Sequence, residues 1–563
     1  MLLEHLVFWR LEPMSIHNAW NAYIFRDGKN IYRGADLLRE LCAGIAVFSG
    51  CRTELLDLLL RAGELECALS DTASVHARQA EAITQSIADA LVSGATIDRE
   101  VLIACLNAIA PPVEVKLSPP EGFTYYALHP LDMADLAREI GRSSQCVAVI
   151  GIRSIGTTLG AVVQAALRAD GVRAERITVR PEGHPYDRKT TLSPEQWRWI
   201  LAMCNRSADF LVVDEGPGMS GSSFLSCGEA LVEGGVSPSR VRFVGSRTAE
   251  PDLLTASNAG TRWRAFRFDS VGLSHYLPVE AKEYWGGGIW RGHAFVDETA
   301  WPASWTQMER TKFLSKDGTR FYKYEGLGRF GRAVHERTAK VADGEFGPAP
   351  LGTEEGFGVY PFMRGRYLSC ADANETVLKC IANYCAFRSE NLASNGAASP
   401  DLEMMLSFNA RQDFELHVPA SLRLEIEHPV IADGRMLPHK WIDDGRRLLK
   451  LDSAAHGDDH FFPGPTDIAW DLAGAIIEWK MEPEAARFFL DCYESASGDD
   501  PSQRLRAYLA AYSVFRMAYC KMASAAMRGT FEQERLEKAY RRYKASAAEY
   551  LENVGAVSRD VAA

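Results

Sequence analysis

Long apolar runs are missing from this sequence. No stretch reaches the ~18 to 20 apolar residues of a membrane span. The N-terminus, MLLEHLVFWRLEPMS, sets Glu4, Arg10 and Glu12 around a short apolar run and lacks the basic start and small-residue cleavage site of a signal peptide. A cytoplasmic protein without a membrane partner is expected. Excess positive charge is missing too: a formal net charge of -12 argues against a non-specific nucleic-acid binder, which needs clustered Lys and Arg. The 12 cysteines, scattered from Cys42 to Cys520, include no Cys-x-x-Cys pair, and Cys380 and Cys385 have no partner at zinc-site spacing, so reduced core thiols are expected. With 47% hydrophobic and 24% charged residues, the composition leaves no room for extensive disorder.

At 563 residues the chain exceeds the roughly 250 to 300 at which single cores stop growing, so two or three domains are expected. Residues 1–110 carry helix-period apolar positions in ADLLRELCAGIAVF, TELLDLLLRAGEL and HARQAEAITQSIADALVSG and show no chemistry of their own. They read as a helical region with an accessory or homo-oligomerising role. The Pro pairs 111–112 and 119–120 break this pattern. Over residues 111–295 short apolar runs (CVAVIGI, RAERITVR, DFLVVDE, RVRFVGS) alternate with amphipathic helices, the mark of buried parallel strands in a doubly wound α/β sheet. Over residues 300–552 strands come first and helices afterwards, an α+β order, and residues 553–563 read as a flexible tail. The expected fold class is α/β plus α+β.

The first chemical motif begins with an apolar strand, Phe210 to Val213, that runs into Asp214 and Glu215. The small-residue loop Gly216-Pro217-Gly218-Met219-Ser220-Gly221-Ser222-Ser223 and a helix follow. In an open parallel sheet, ligands bind at the carboxyl ends of strands, where such a loop offers backbone N–H groups and the helix N-terminus offers positive dipole. The acidic pair suits sugar hydroxyls or a Mg²⁺ ion, and Gly218, Ser220, Gly221, Ser222 and Ser223 suit a phosphate. Upstream, the strand VAVIGI meets Arg153-Ser154-Ile155-Gly156-Thr157-Thr158. Between the two loops lies VRPEGHPYDRKTTLS, a polar and basic segment that would close as a flap, with Arg180, His184, Arg188 and Lys189 as candidate phosphate contacts.

In these residues the sequence resembles the phosphoribosyltransferases, whose signature is an apolar strand, two acidic residues and a Thr/Ser-Gly loop. The resemblance implies a type I phosphoribosyltransferase fold with phosphoribosyl pyrophosphate (PRPP) as substrate. Asp214, Glu215 and the serine loop would take the ribose and 5-phosphate, and Arg153, Ser154, Gly156 and Thr157 the pyrophosphate. The implied reaction displaces pyrophosphate from ribose C1 through an oxocarbenium-like transition state, which depends on charge neutralisation and positioning. Here the loop is one residue longer than the signature and its second acid is Glu.

The second motif is dispersed. Lys323 lies in the strand-like RFYKYEG and Glu336 on the helix AVHERTAKV; Asp433 sits in VIADGRMLPHKWI, and Asp452 ends the run RRLLKLD. A strand lysine paired with a helix glutamate orients the phosphates of ATP, one later carboxylate orients an acceptor hydroxyl, and another holds Mg²⁺. Their order, with FGPAPLG, YPFMRG and TDIAWDLAG, resembles the aminoglycoside phosphotransferases and related small-molecule kinases. That resemblance implies a bilobal protein-kinase-like fold using ATP and Mg²⁺, with Lys323 and Glu336 at the nucleotide, Asp433 catalytic, Asp452 on the metal and Asp471 structural. The family carries His-Gly at its catalytic Asp and an Asn shortly after. Here Ile431-Ala432 precede Asp433, and His439, a poor ligand for a hard cation, stands near the expected Asn. HGDDH, from His456 to His460, reads as a loop lining the acceptor side, with Asp458 and Asp459 open to a cationic acceptor.

Taken together, these features support a bifunctional transferase acting on small molecules, with PRPP-dependent phosphoribosyl transfer and ATP-dependent phosphorylation of a small metabolite. The alternative is a regulatory protein that senses nucleotide and PRPP through a degenerate kinase site.

Overall fold

The computed structural model describes residues 22–24, 30–184, 186–394, 401–419, 422–457, 459, 461, 465–555 and 557–558. After a short strand at Asn30–Arg33, which pairs with Glu114–Leu117, four helices follow: α1 (Gly34–Ala46), α2 (Arg52–Asp71), α3 (Ala77–Ser93) and α4 (Arg99–Asn107). The Asp98 side chain caps α4 by accepting from the Val101 N–H, and Gly94 ends α3 in the left-handed conformation. The short turn α5 (Glu121–Thr124) and α6 (Pro130–Gly141) lead into β1 (Cys146–Ile152), α7 (Ile155–Ala169) and β2 (Arg173–Val179). The hairpin β3 (Pro181–His184) and β4 (Asp187–Thr190) follows, then α8 (Pro194–Asn205), β5 (Asp209–Val213), α9 (Ser222–Glu233), β6 (Val241–Gly245) and β7 (Arg267–Ser270).

Five of these strands form a parallel sheet in the order β2-β1-β5-β6-β7. β1 is buried along its whole length because both faces of the sheet are covered. Val147 and Val149 pack on one side with α7, α2 and α3, whereas Ala148, Ile150 and Ile152 pack on the other with α8 and α9. The continuous apolar runs of the sequence are the product of that double burial. α1 to α4 therefore do not stand apart: they share one core with the sheet, and a buried two-pronged ion pair joins Glu66 of α2 to Arg176 of β2 at 2.6 and 3.2 Å.

A second sheet is antiparallel throughout, in the order β8-β9-β10-β12-β11: β8 (Ala281–Tyr284), β9 (Lys312–Ser315), β10 (Arg320–Tyr324), β11 (Gly352–Glu354) and β12 (Phe357–Pro361). It begins at Ala281, upstream of residue 300. Asp317 closes the β9–β10 turn by accepting from the Ser315 hydroxyl at 2.6 Å and the Thr319 N–H at 3.1 Å. Helix α10 (Arg329–Asp343) lies between β10 and β11. The remainder is largely helical: α11 (Glu375–Asn391), a small β13 (Trp441–Asp443) and β14 (Leu448–Lys450) pair, then α12 (Ala469–Glu478), α13 (Pro483–Ser497), α14 (Ser502–Ala526) and α15 (Phe531–Asn553). Trp441, Trp470, Trp479 and Tyr512 fill its core. Among the described residues no helix is long and apolar enough to cross a membrane.

Candidate active sites

The order β2-β1-β5-β6-β7 reverses direction between β1 and β5, so the loops that leave those two strands diverge and open a crevice at the sheet's carboxyl edge. The loop after β1 holds Arg153, Ser154, Gly156 and Thr157; the loop after β5 holds Asp214 through Ser223. The structure thus brings the two sequence motifs side by side. Ser154 has φ 83°, a left-handed conformation unusual for a residue with a Cβ. Gly156 is required for the close approach itself, since a Cβ there would sit 2.5 Å from the Val213 carbonyl oxygen. Gly156 and Thr157 are buried, so they build the crevice floor, while Arg153 stands at its rim.

On the other loop Gly221, at φ 69°, turns the chain into α9, and the Ser220 hydroxyl accepts from the Ser222 N–H at 3.2 Å and donates to the Ser222 hydroxyl at 3.0 Å. Gly218 is exposed, Ser222 buried and Ser223 half-buried. Glu215 accepts from the Gly122 N–H of α5 at 2.5 Å, and Asp214 accepts from the Glu215 N–H at 2.9 Å. Burial, and then the neighbouring Glu215, push the Asp214 carboxyl up to about 8. Burial, and then Glu121, push Glu215 up to about 8 as well, and Glu121 itself, driven by burial, reaches about 7. Three carboxyl groups therefore crowd the crevice, faced by the positive charges of Arg180, Arg188 and Arg247.

The β3–β4 hairpin overlies α9, with the Thr190 and Ser226 hydroxyls 2.9 Å apart. Arg188 is half-buried and donates to the Pro181 carbonyl at 3.3 Å, whereas Lys189, its neighbour on the same strand, is exposed opposite Glu182. Sequence reasoning missed Asp71 at the end of α2, which holds Arg153 at 3.0 Å and Arg180 at 2.5 Å. It lies in a region read as free of chemistry, and only the tertiary packing of α2 brings it to the crevice. Glu121 and Arg247 were missed for the same reason.

The second candidate site is a cavity of about 130 Å³ between the antiparallel sheet and the β13–β14 segment. Lys312, Lys323, Lys440 and Lys450 line it together with Asp452, and Trp285, Trp290, Phe321 and Phe362 form apolar walls. Glu309 braces one wall by accepting from the Trp290 indole N–H at 3.1 Å, and it lies 3.7 Å from Lys312. Burial works against ionisation of Glu309, but Lys312 and hydrogen bonds from Ser304, Trp290 and Gly288 hold its carboxyl down at about 2.

Lys323 and Asp452, 129 positions apart, do meet: the Lys323 ammonium group donates to Asp452 Oδ1. Asp452 Oδ2 accepts from Lys440 at 2.8 Å and lies 3.0 Å from His456 Nε2. Burial raises the Asp452 carboxyl, yet Lys323, Lys440 and His456 outweigh it and hold the group well below the usual range. His456 in turn faces Asp459 at 2.9 Å through Nδ1. Asp458 and His460 of the same segment lie outside the described residues.

Three sequence-based assignments are corrected. Glu336 does not reach Lys323: α10 buries Gly331, Val334, Thr338 and Val341, which leaves Glu336 on the exposed face, and Asp452 takes its place as the lysine's partner. Asp433 is not placed to orient an acceptor hydroxyl. It is fully buried and does not line the cavity; Oδ2 accepts from the Tyr384 hydroxyl at 2.5 Å and pairs with Lys450 at 3.0 Å, and Oδ1 accepts from the Arg435 N–H at 2.9 Å. His439 stacks on Trp290, with ring centroids 5.6 Å apart, and burial followed by the nearby Lys440 holds it well below its ordinary value, hence neutral. Beneath the loop, Asp471 accepts the Asp433 and Gly434 N–H groups at 2.7 and 3.0 Å, and burial pushes its carboxyl up to about 6.

One motif escaped the sequence reading. Gly326-Leu327-Gly328-Arg329-Phe330-Gly331 has the G-x-G-x-x-G spacing that cradles phosphates when it opens a helix. Here Asp57 of α2 occupies the helix start, accepting from the Arg329 N–H at 2.8 Å and the Arg332 guanidinium at 3.0 Å. The motif therefore joins the two halves of the chain.

No family model matches the chain, and no curated protein does. Among solved structures it is similar to a choline/ethanolamine kinase family protein from Mesorhizobium loti, at 16% identity over 44% of this chain and 89% of that one, with a TM-score of 0.32. Choline kinase LicA from Streptococcus pneumoniae matches at 14% identity over 43% and 90%, with a TM-score of 0.31. The macrolide 2'-phosphotransferase MphH from Brachybacterium faecium matches at 12% over 42% and 88%, with a TM-score of 0.28. Scores this low carry no functional inference, so function must be read from the sites themselves.

Proposed function

We propose that the protein is a transferase with two phosphate-ester sites: a PRPP site at the switch point of the parallel sheet, where phosphoribosyl transfer occurs, and a kinase-type cleft that binds a nucleoside triphosphate. The observation that carries this reading is the convergence of the loops 153–157 and 214–223 on one crevice, with α9 starting at the end of the second loop. Donor phosphates would meet backbone N–H groups, the α9 dipole and Arg153. Asp214 and Glu215 are oxygen-only donors, the set that a sugar diol or a Mg²⁺ ion takes, and they fit either at this site. Departure of pyrophosphate from ribose C1 develops positive charge on the sugar; Asp214 and Glu215 would stabilise it once ionised, a form that a bound cation or the developing charge itself favours over the raised values of the empty crevice.

For the cleft, nucleotide binding is favoured over phosphorylation of a small metabolite by one observation. Asp433, the base that the kinase resemblance implies, is sealed away from the cavity against Lys450 and Tyr384. The lysine cluster and the aromatic walls instead suit a polyphosphate attached to a planar base.

Equilibrium binding to the full-length protein tests the assignment of both sites. PRPP binding is expected to be lost in Ser222→Glu, which would place a negative charge at the start of α9, while ATP binding persists. Lys323→Ala is expected to show the opposite pattern. If either variant loses both ligands, or neither, the two-site assignment fails.

A further inference from the structure

The kinase resemblance implies Mg²⁺ beside Asp452, and the residues there do not fit that ion. A hard divalent cation needs several oxygen ligands in near-octahedral array and retains water. Asp452 has a side-chain exposure of 10%, and both its oxygens are already engaged: Lys323 on Oδ1, and Lys440 at 2.8 Å and His456 at 3.0 Å on Oδ2. Glu325, the other carboxylate lining the cavity, accepts from the Tyr360 hydroxyl and is pushed up by burial. His439, near the position where an oxygen ligand is expected, presents a stacked imidazole. A metal entering this site would lose more to its ammonium neighbours than a single carboxylate returns.

Those neighbours form a set of their own. Lys312, Lys323, Lys440 and Lys450 line one small cavity with an aromatic wall; Lys312 pairs with Glu309 and Lys450 with Asp433, which leaves Lys323 and Lys440 sharing the one carboxylate of Asp452. In water, lysines packed this closely repel one another, and a polyanion relieves that repulsion.

We propose that the cleft binds a nucleoside triphosphate in its metal-free form, with Lys323 and Lys440 exchanging Asp452 for phosphate oxygens and thereby replacing the divalent cation. The base lies against Trp285, Phe321 and Phe362. This inference rests on the nucleotide reading of the cleft given above. Asp452 is then a competitor of the ligand: it stores the two ammonium groups in position while the cleft is empty and releases them on binding.

Calorimetric titration of the full-length protein with ATP, once in chelator and once in excess magnesium, tests this directly, with inorganic triphosphate as a probe that lacks the base. Binding in chelator is expected to be as tight as in magnesium or tighter, and triphosphate is expected to bind more weakly than ATP in both. Asp452→Asn is expected to keep or raise metal-free affinity, whereas Lys440→Asn should lower it by about tenfold. Both variants are compared with wild type by thermal melting, and the wild-type titration decides the matter without them. ATP binding that requires magnesium, or that Asp452→Asn abolishes in a folded protein, overturns the metal-free mode and leaves the nucleotide reading standing. Absence of ATP binding in both buffers overturns the nucleotide reading itself.

Discussion

At the scale of single residues, the acidic crevice and the basic cavity are opposite solutions to burial. Asp452 is buried among cations and stays ionised, whereas Asp214 is buried beside Glu215 and its carboxyl rises to about 8 from an ordinary 3.8. A carboxyl raised in the folded state keeps its proton where the unfolded chain has already released it. Its effect on stability is therefore favourable at low pH and is lost as the pH climbs from about 4 to about 8. Asp214→Asn, which cannot ionise, is expected to be more stable than wild type at about pH 9 by about 1 to 2 kcal/mol, a value discounted for the group's partial exposure, and to differ little at about pH 4. Denaturant melts across that range check it, and a difference that does not grow with pH would contradict the assigned shift. The same scale explains a misread residue. Glu336 lies two positions from both Val334 and Thr338, which α10 buries, so helical periodicity already sets it on the outer face.

At the scale of elements, the turn α5 ties the two sites together. Its Gly122 N–H donates to Glu215, its Phe123 carbonyl accepts from the Tyr324 hydroxyl at 2.5 Å and the Leu327 N–H at 2.9 Å, and Tyr324 adjoins Lys323 on β10. Arg310, buried at 6% exposure, crosses the same junction. It donates to the carbonyls of Thr124 at 3.3 Å and Ala455 at 2.7 Å and lies over the Tyr125 ring at 5.3 Å. Arg310→Ala leaves those buried carbonyls without their donor and is expected to cost about 2 to 4 kcal/mol. Equilibrium unfolding measures that loss, and a change below about 0.5 kcal/mol, the usual range for a surface substitution, would show that Arg310 does not hold the junction. None of this was legible in the sequence. Thr124 and Arg310 are 186 positions apart, and an arginine near a strand reads as a surface charge until the fold buries it.

At the scale of the whole molecule, the sequence disclosed what local periodicity can disclose. The doubly wound order was legible because β1 and β5 bury both faces and so appear as unbroken apolar runs, and the strand-acid-glycine order of residues 210–223 placed one crevice wall. The strand β10 was legible in RFYKYEG. Hidden from such reasoning were the relations set by long-range charge pairing: Glu66 with Arg176, which fuses the N-terminal helices to the sheet; Asp71 with Arg153 and Arg180; Asp57 at the start of α10; and Lys450 with Asp433, which removes the expected base from the cleft. Together they describe one molecule in which the carboxyl-lined crevice of the parallel sheet is tied through α5 to the lysine-lined cavity of the antiparallel sheet. The most direct measurement is release of pyrophosphate from labelled PRPP by the full-length protein, with a metabolite extract as the source of acceptor. Wild type is expected to release it, with a rate reduced at least about a hundredfold in Asp214→Asn while ATP binding is unchanged. Release that is absent from wild type, or equal in the two proteins, would contradict the assignment of the crevice.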